Sequence, residues 1–128
     1  MSPRSTEFMV AAHRRLIAAA DSLGADPAAA VSLAYYAMLY ATRAALSERD
    51  TYAKTHAGTW HQLRVTFVKP GLIDAGLVSA AQKVQPEREQ ADYEAWDAPP
   101  EEAQRVIELA TRFLAAIEAV IGPPPAVA

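Results

Sequence analysis

The sequence predicts an all-α protein, an antiparallel up-and-down bundle of about five helices. Three observations support this fold class: alanine is abundant, large apolar residues recur three and four positions apart, and the alternation typical of strands is scarce. The chain of 128 residues is 52% hydrophobic, which is sufficient for one buried core. We therefore expect a single domain over residues 1–128, with both ends, 1–5 and 122–128, disordered.

The first two predicted helices are separated by Gly24. The first runs from about Thr6 to Leu23, and its inward face carries Met9, His13, Leu16, Ala20 and Leu23. Asp26 and Pro27 begin the second, because aspartate accepts from free backbone N–H groups and proline needs no N–H at the first helical position. This helix extends to about Arg49. Its inward face carries Val31, Tyr35, Met38, Thr42 and Ala45.

Three further helices complete the predicted bundle. Thr55 is expected to cap the third, which ends at 69–71. Its inward face carries His56, Trp60, Leu63 and Phe67. The fourth begins near Asp74, turns Leu77, Ala81 and Val84 inward, and is kinked or divided by Pro86. The last spans about 99–121, roughly 30 Å. Its inward face carries Val106, Leu109, Ala110, Phe113, Ile117 and Val120.

Several functional classes are excluded by what the sequence lacks. Without cysteine it has no disulfide, thiol nucleophile or thiolate zinc site. It has no phosphate loop, dinucleotide-binding glycine motif or nucleophile elbow, and its three histidines, His13, His56 and His61, lack metal-ligand spacing. We therefore expect neither a metal nor a cofactor. No window matches a membrane span or a signal peptide, so the expected location is the cytoplasm.

The charges are distributed unevenly along the chain. Residues 1–70 carry eight Lys and Arg against five Asp and Glu, whereas residues 71–128 carry four against ten. The net charge of -3 argues against a protein that holds nucleic acid by bulk neutralisation of phosphates. Any RNA contact must therefore come from a local basic patch, or from a dimer that brings basic faces together.

Two clusters of polar residues are candidates for a binding or catalytic role. Lys54, Thr55 and His56 come together at a predicted helix N-terminus, which favours an anion such as a phosphate. Simple capping is the alternative explanation. In the second cluster, Arg88 and Asp92 share a helix face, so they can form a surface pair or bind and orient a phosphate, with Tyr93 next along the chain.

The sequence resembles the HEPN superfamily in four motifs that occur in the family's order. They are Tyr35-Tyr36-Ala37-Met38, Lys54-Thr55-His56-Ala57-Gly58, Phe67-Val68-Lys69-Pro70-Gly71-Leu72-Ile73 and Arg88 followed by Asp92-Tyr93. The resemblance is strongest to small stand-alone members with a Tyr-Tyr-Ala-Met helix and an Ala-Asp-Tyr motif, and it extends from about Ser32 to Ile121. It implies an antiparallel helical bundle, usually a homodimer.

The resemblance also implies a type of activity. Many HEPN proteins are metal-independent ribonucleases, often toxins paired with an MNT-type nucleotidyltransferase antitoxin, whose catalytic Arg is followed four to six residues later by His. Arg88 matches the Arg, but Asp92, Tyr93 and Glu94 stand where the His is expected. The base would then be Asp92, or His56 if folding brings it near Arg88. A carboxylate is a weak base at neutral pH.

Three functional hypotheses follow from these residues. The first is a homodimer whose cleft, lined by Arg88, Asp92 and Tyr93 of both subunits, binds RNA or a nucleotide phosphate, within a toxin-antitoxin or defence pair. In such pairs the antitoxin can attach AMP to a tyrosine near the Arg, and Tyr93 is the candidate. The second is a non-catalytic module for dimerisation and protein interaction. The third is a nucleotide sensor that uses Lys54 and Thr55 as well as Arg88.

Overall fold

The computed structural model describes residues 1–93 and 95–123, and of residues 87 and 90–93 it describes the backbone alone. The elements in this part of the chain are α1 (Pro3–Ser22), α2 (Pro27–Ser47), α3 (His56–Leu63), a π-helical turn (Arg64–Val68), α4 (Ala75–Gln82), α5 (Val84–Tyr93) and α6 (Pro100–Ile121). The described residues form no strand, which confirms the all-α class. The fourth predicted helix corresponds to α4 and α5, which Lys83 separates.

The N-terminal residues differ from the expectation of disorder. Helix α1 begins at Pro3, because Ser2 Oγ accepts from the backbone N–H of Ser5 at 3.1 Å and proline occupies the first helical position. Ser5 is fully buried. Residues 3–5 are therefore the first turn of α1. At the other end, Gly122 and Pro123 follow α6, and residues 124–128 lie outside the described part of the chain.

Helix α2 is the centre of the bundle and packs against α1, α3, α5 and α6. The five residues predicted to face inward are all fully buried, namely Val31, Tyr35, Met38, Thr42 and Ala45. Helix α1 runs antiparallel to α2, since Phe8 stacks on Tyr40 and Ser2 N donates to Glu48 Oε1 at 2.8 Å.

The inward face of α1 differs in part from the prediction. Met9, Ala12 and Ala19 are fully buried, whereas Ala20 is exposed. Alanines at the contact allow α1 to approach α2 closely, because the distance between helices depends on the side chains between them. His13 is only part-buried and pairs with Glu118 of α6.

Two irregular segments position the helices around the candidate site. The π-helical turn continues α3, with Lys69 N donating to Arg64 O at 2.8 Å, and Gly71 then leaves the helical path with a φ of 83°. The break at Lys83 comes before Pro86, which lies in the first turn of α5. The ring has no N–H to donate back to Gln82, so α4 and α5 do not form one straight helix.

Helix α6 closes the core. Its buried residues include most of the predicted inward face: Val106, Leu109, Ala110, Phe113 and Ile117. Val120, also predicted inward, is partly buried. Of the helices that the structure describes, none has both the length and the apolar character to cross a membrane.

Candidate functional site

The candidate site lies where the start of α3 and the middle of α5 meet α2. Cζ of Arg88 lies 5.6 Å from the ring centroid of Tyr35 and 5.3 Å from that of Tyr36. The imidazole of His56 lies 5.8 Å and 6.2 Å from the same two rings. Arg88 and His56 therefore share two aromatic neighbours. Together with Gln85, these four residues are named the Arg88 cluster.

The position of His56 is fixed by the cap of α3. Thr55 Oγ1 accepts from the backbone N–H of Gly58 at 2.9 Å, which makes His56 the first residue of the helix. A Cβ on Gly58 would lie 2.9 Å from that hydroxyl oxygen, so glycine leaves room for the cap. The Thr55 hydroxyl thus serves as a cap, which was one of the two interpretations of the sequence.

The hydroxyl of Tyr35 joins three other side chains. It donates to Gln85 Oε1 at 3.2 Å, accepts from Trp60 Nε1 at 3.2 Å, and lies 3.2 Å from His56 Nδ1. Tyr35 and Trp60 are both fully buried, and the indole packs edge-on against Phe113 of α6. The hydrogen bonds of the site therefore extend into the core.

These hydrogen bonds assign the tautomer of His56. Gln85 Nε2 donates to Glu89 Oε1 at 3.2 Å, so Gln85 Oε1 is the atom that faces Tyr35. The indole N–H of Trp60 can only donate, and the one phenolic proton of Tyr35 goes to Gln85. His56 must then donate its Nδ1–H to Tyr35. In this neutral tautomer, Nε2 carries the lone pair.

The surroundings keep both partners of this contact neutral. Burial raises the pKa of the Tyr35 hydroxyl above its ordinary value of 10.0, against smaller opposing effects of the Trp60 hydrogen bond and the Arg88 charge. Partial burial lowers the pKa of His56 below its ordinary value of 6.5, and the charges of Arg88 and Arg43 add to this effect. At neutral pH, His56 is therefore an uncharged acceptor of protons.

The structure brings together some of the residues singled out in the sequence and leaves others apart. Arg88 and His56 meet on the two tyrosines, as described above. Lys54 is exposed, and no hydrogen bond or ion pair in the described part of the chain joins its side chain to the Arg88 cluster. The backbones of Asp92 and Tyr93 lie in the last turn of α5, and their side chains lie outside the described structure.

Sequence reasoning missed the contribution of two residues. Gln85 had no assigned role, although its spacing of four from Glu89 is the signal of a helical pair. Tyr35 was assigned to the core, which is correct for its ring but leaves out its hydroxyl. A buried tyrosine hydroxyl needs partners, and this requirement is the signal that could have identified it.

A cavity of about 470 Å³ adjoins the Arg88 cluster through Gln85 and Glu89. Arg64, Ser79, Gln82 and Lys83 form the rest of its polar lining, and Arg64 donates to Gln82 Oε1 at 2.7 Å. Across the described residues, no three His, Asp or Glu side chains are grouped so that they could hold a metal ion. The cluster and this cavity thus offer cations, amides and a neutral imidazole as contact groups.

Comparison with known proteins agrees with this architecture. The HEPN domain family matches residues 6–120, which is most of the chain. The protein therefore belongs to the HEPN family. A search of curated proteins found no match to the chain.

Proposed function

We propose that the protein is a metal-independent endoribonuclease that acts as a homodimer, with Arg88 as the cationic group and His56 as the base. The observation that carries this proposal is the shared contact of Arg88 and His56 with Tyr35 and Tyr36. In the HEPN family an Arg and a His act together, and here His56 supplies the imidazole from a different helix. The assigned tautomer of His56 supports this role, because its Nε2 can accept a proton.

The proposed chemistry uses the 2′-hydroxyl of RNA as the nucleophile. His56 Nε2 takes the 2′-hydroxyl proton, the 2′-oxygen forms a bond to phosphorus, and the bond from phosphorus to the 5′-oxygen breaks. The 5′-oxygen leaves as a hydroxyl after taking a proton from water, and the other product carries a 2′,3′-cyclic phosphate. The guanidinium of Arg88 stabilises the negative charge that builds up on the phosphate oxygens.

The proposal extends to the partners that the family suggests. A homodimer would place two such clusters at one cleft, and an MNT-type nucleotidyltransferase is the proposed protein partner. Asp92 and Tyr93 follow Arg88 on α5, and Asp92 is four residues from it, which places the two on one helix face. Tyr93 stays the proposed site of AMP attachment by that partner.

The decisive experiment is cleavage of labelled single-stranded RNA by the purified protein in the presence of EDTA. We expect fragments with 2′,3′-cyclic phosphate ends, and no cleavage of the same sequence made with 2′-deoxyribose. Arg88→Ala and His56→Gln should each reduce the rate by about 100-fold or more. Arg112→Ala, which removes an exposed arginine from α6, is the matched control and should leave the rate unchanged.

Two outcomes would count against this assignment. If the folded native protein leaves RNA intact, the non-catalytic interaction module is the better description. If the native protein binds AMP or ATP saturably without turnover, and Arg88→Ala or Lys54→Ala weakens that binding, the nucleotide sensor is favoured.

A further inference from the structure

A second set of aromatic and basic residues lies along the groove between α1 and α2. Phe8 stacks on Tyr40 with ring centroids 6.1 Å apart, and Tyr40 lies 6.3 Å from Tyr36 of the Arg88 cluster. Arg4 lies over the rings of both Phe8 and Tyr52, at 5.6 Å and 4.6 Å. Ring–ring contacts therefore run from the Arg88 cluster to Phe8, and the guanidinium of Arg4 links Phe8 to Tyr52.

Two more arginines border the same groove. Cζ of Arg15 lies 5.3 Å from the ring centroid of Tyr40. Arg43 is three residues after Tyr40 on α2, on the same helix face, and its charge contributes to the lowered pKa of His56. The arginine–aromatic strip is defined here by six residues: Arg4, Phe8, Arg15, Tyr40, Arg43 and Tyr52.

In the described part of the chain, the arginines of the strip have no carboxylate partner. Among the residues that the structure describes, none of Arg4, Arg15 and Arg43 forms an ion pair. Nε of Arg43 is buried and has no hydrogen-bond partner there. The described lining of the groove includes the carboxylate of Glu7, against these three positive charges. The strip is thus a local basic surface on a chain whose net charge is -3.

The strip also contains space for a ligand. A cavity of about 210 Å³ is bordered by Arg4, Arg43 and Tyr52, and a cavity of about 350 Å³ by Arg4, Arg15 and Tyr40. The two cavities share Arg4 and Phe8, so they follow one another along the groove. Each combines a guanidinium group with the face or edge of an aromatic ring.

We infer that the strip binds single-stranded RNA and leads it to the Arg88 cluster, with nucleotides beside the cleaved bond seated in these two cavities. Guanidinium groups attract the phosphates, and aromatic rings stack with bases, whose faces are accessible only in a single strand. A duplex hides those faces. The choice of RNA rests on the proposed function, whereas the preference for a single strand rests on the strip itself.

The test measures binding separately from cleavage. The probe is a fluorescein-labelled, 2′-O-methyl, unstructured RNA of about twelve nucleotides, which cannot be cleaved and covers a typical single-strand site. Its affinity is measured by anisotropy at several salt concentrations. Tyr52→Ala should weaken binding roughly tenfold without changing the salt dependence. Arg4→Gln should weaken it and reduce the slope of log affinity against log salt by about 0.7, the value for one lost single-strand phosphate contact.

Two variants serve as matched controls. Ile17→Ala removes a large apolar side chain from α1 that is 62% exposed, and Arg112→Gln removes an exposed positive charge from α6. Neither should change the affinity.

The outcomes separate this inference from the proposed ribonuclease. If the native protein cleaves no RNA but the strip variants bind RNA more weakly than it does, the strip is supported as an RNA-binding surface and the proposed ribonuclease is overturned. Efficient cleavage with unchanged affinity in both strip variants would overturn the strip alone. Equal affinity for the annealed duplex would also overturn it. The inference would also be overturned if the strip variants lost their dimers in light scattering while their RNA affinity stayed unchanged, because the strip would then be an interface between two copies.

Discussion

The hydroxyl of Tyr35 lies 3.2 Å from Nδ1 of His56 and accepts the hydrogen bond that this Nδ1–H donates. This direction follows from the other bonds of the hydroxyl, which donates to Gln85 and accepts from Trp60. A buried core tyrosine therefore determines which nitrogen of a part-buried histidine is available to a substrate.

Gln85→Met should reduce the rate of RNA cleavage by about 100-fold, although Gln85 touches no reacting atom. Without the amide oxygen, the phenolic proton of Tyr35 turns to His56 Nδ1, and Nε2 becomes protonated. The long-range ¹H–¹⁵N NMR spectrum of the imidazole reports the tautomer directly. Glu89→Gln is the control, because it keeps an oxygen for Gln85 Nε2 and should leave the tautomer as it is. An unchanged imidazole spectrum in Gln85→Met would refute the assigned hydrogen bonds from His56 to Tyr35 and from Tyr35 to Gln85.

The free energy of unfolding should decrease as the pH falls below about 6.5. The pKa of His56 is lower in the folded protein than its ordinary value of 6.5, so between these two values the unfolded chain binds more protons. Stability therefore rises with pH across this interval. The free energy of unfolding is measured by urea denaturation at about pH 5.5 and about pH 7.5. Its difference between the two pH values should be larger for the native protein than for His56→Gln. Equal differences would mean that His56 is not responsible.

Tyr35→Phe should destabilise the fold by about 1–3 kcal/mol, since it leaves the buried N–H of Trp60 without its acceptor. Tyr36→Phe makes the same chemical change on a half-buried neighbour and should stay within about 0.5 kcal/mol of the native protein. Both variants keep the ring beneath Arg88. The comparison requires only urea denaturation curves, and equal losses in the two variants would contradict the assigned hydrogen bond.

Thr55→Ala should lower the free energy of unfolding by about 1 kcal/mol, because it removes the side-chain cap of α3. Asp74→Ala removes the equivalent cap of α4, where Asp74 Oδ2 accepts from Leu77 N at 3.0 Å, and should cost about as much. RNA cleavage should slow in Thr55→Ala alone, since only that cap adjoins His56. Thr55→Ser keeps the hydroxyl and should restore both properties. Equal rates in the two alanine variants would separate the cap from the site.

The fold could be predicted because its signals are local. The inward face of α2 follows from the spacing of its large apolar residues, and all five predicted positions are buried. Ser2 and Pro3 carry the signal of a helix start that the prediction placed at Thr6. The face of α1 was harder to predict, because its contact with α2 uses alanines, and an alanine on either face of a helix looks the same in a sequence.

The candidate site was predictable only in part, because its residues come from three helices. The sequence identified Arg88 and His56 separately, but their contact with the same two tyrosines depends on how α3 and α5 pack on α2. No local pattern encodes that packing. The spacing of Tyr36, Tyr40 and Arg43 along α2 was visible in the sequence. That these residues form one side of a basic, aromatic groove could not be predicted, because the other side is formed by arginines of α1.

The indole of Trp60 has a consequence for how this protein can change during evolution. It fills the core against Phe113 and also supplies the hydrogen bond that orients Tyr35 towards His56. Replacing Trp60 would change the packing of the core and the hydrogen bonding of the His56 imidazole at the same time. Selection for stability and selection on the candidate site therefore cannot act on this position independently. Tyr52, by contrast, is 58% exposed and lies outside the core, so its replacement would change the arginine–aromatic strip without rebuilding the core.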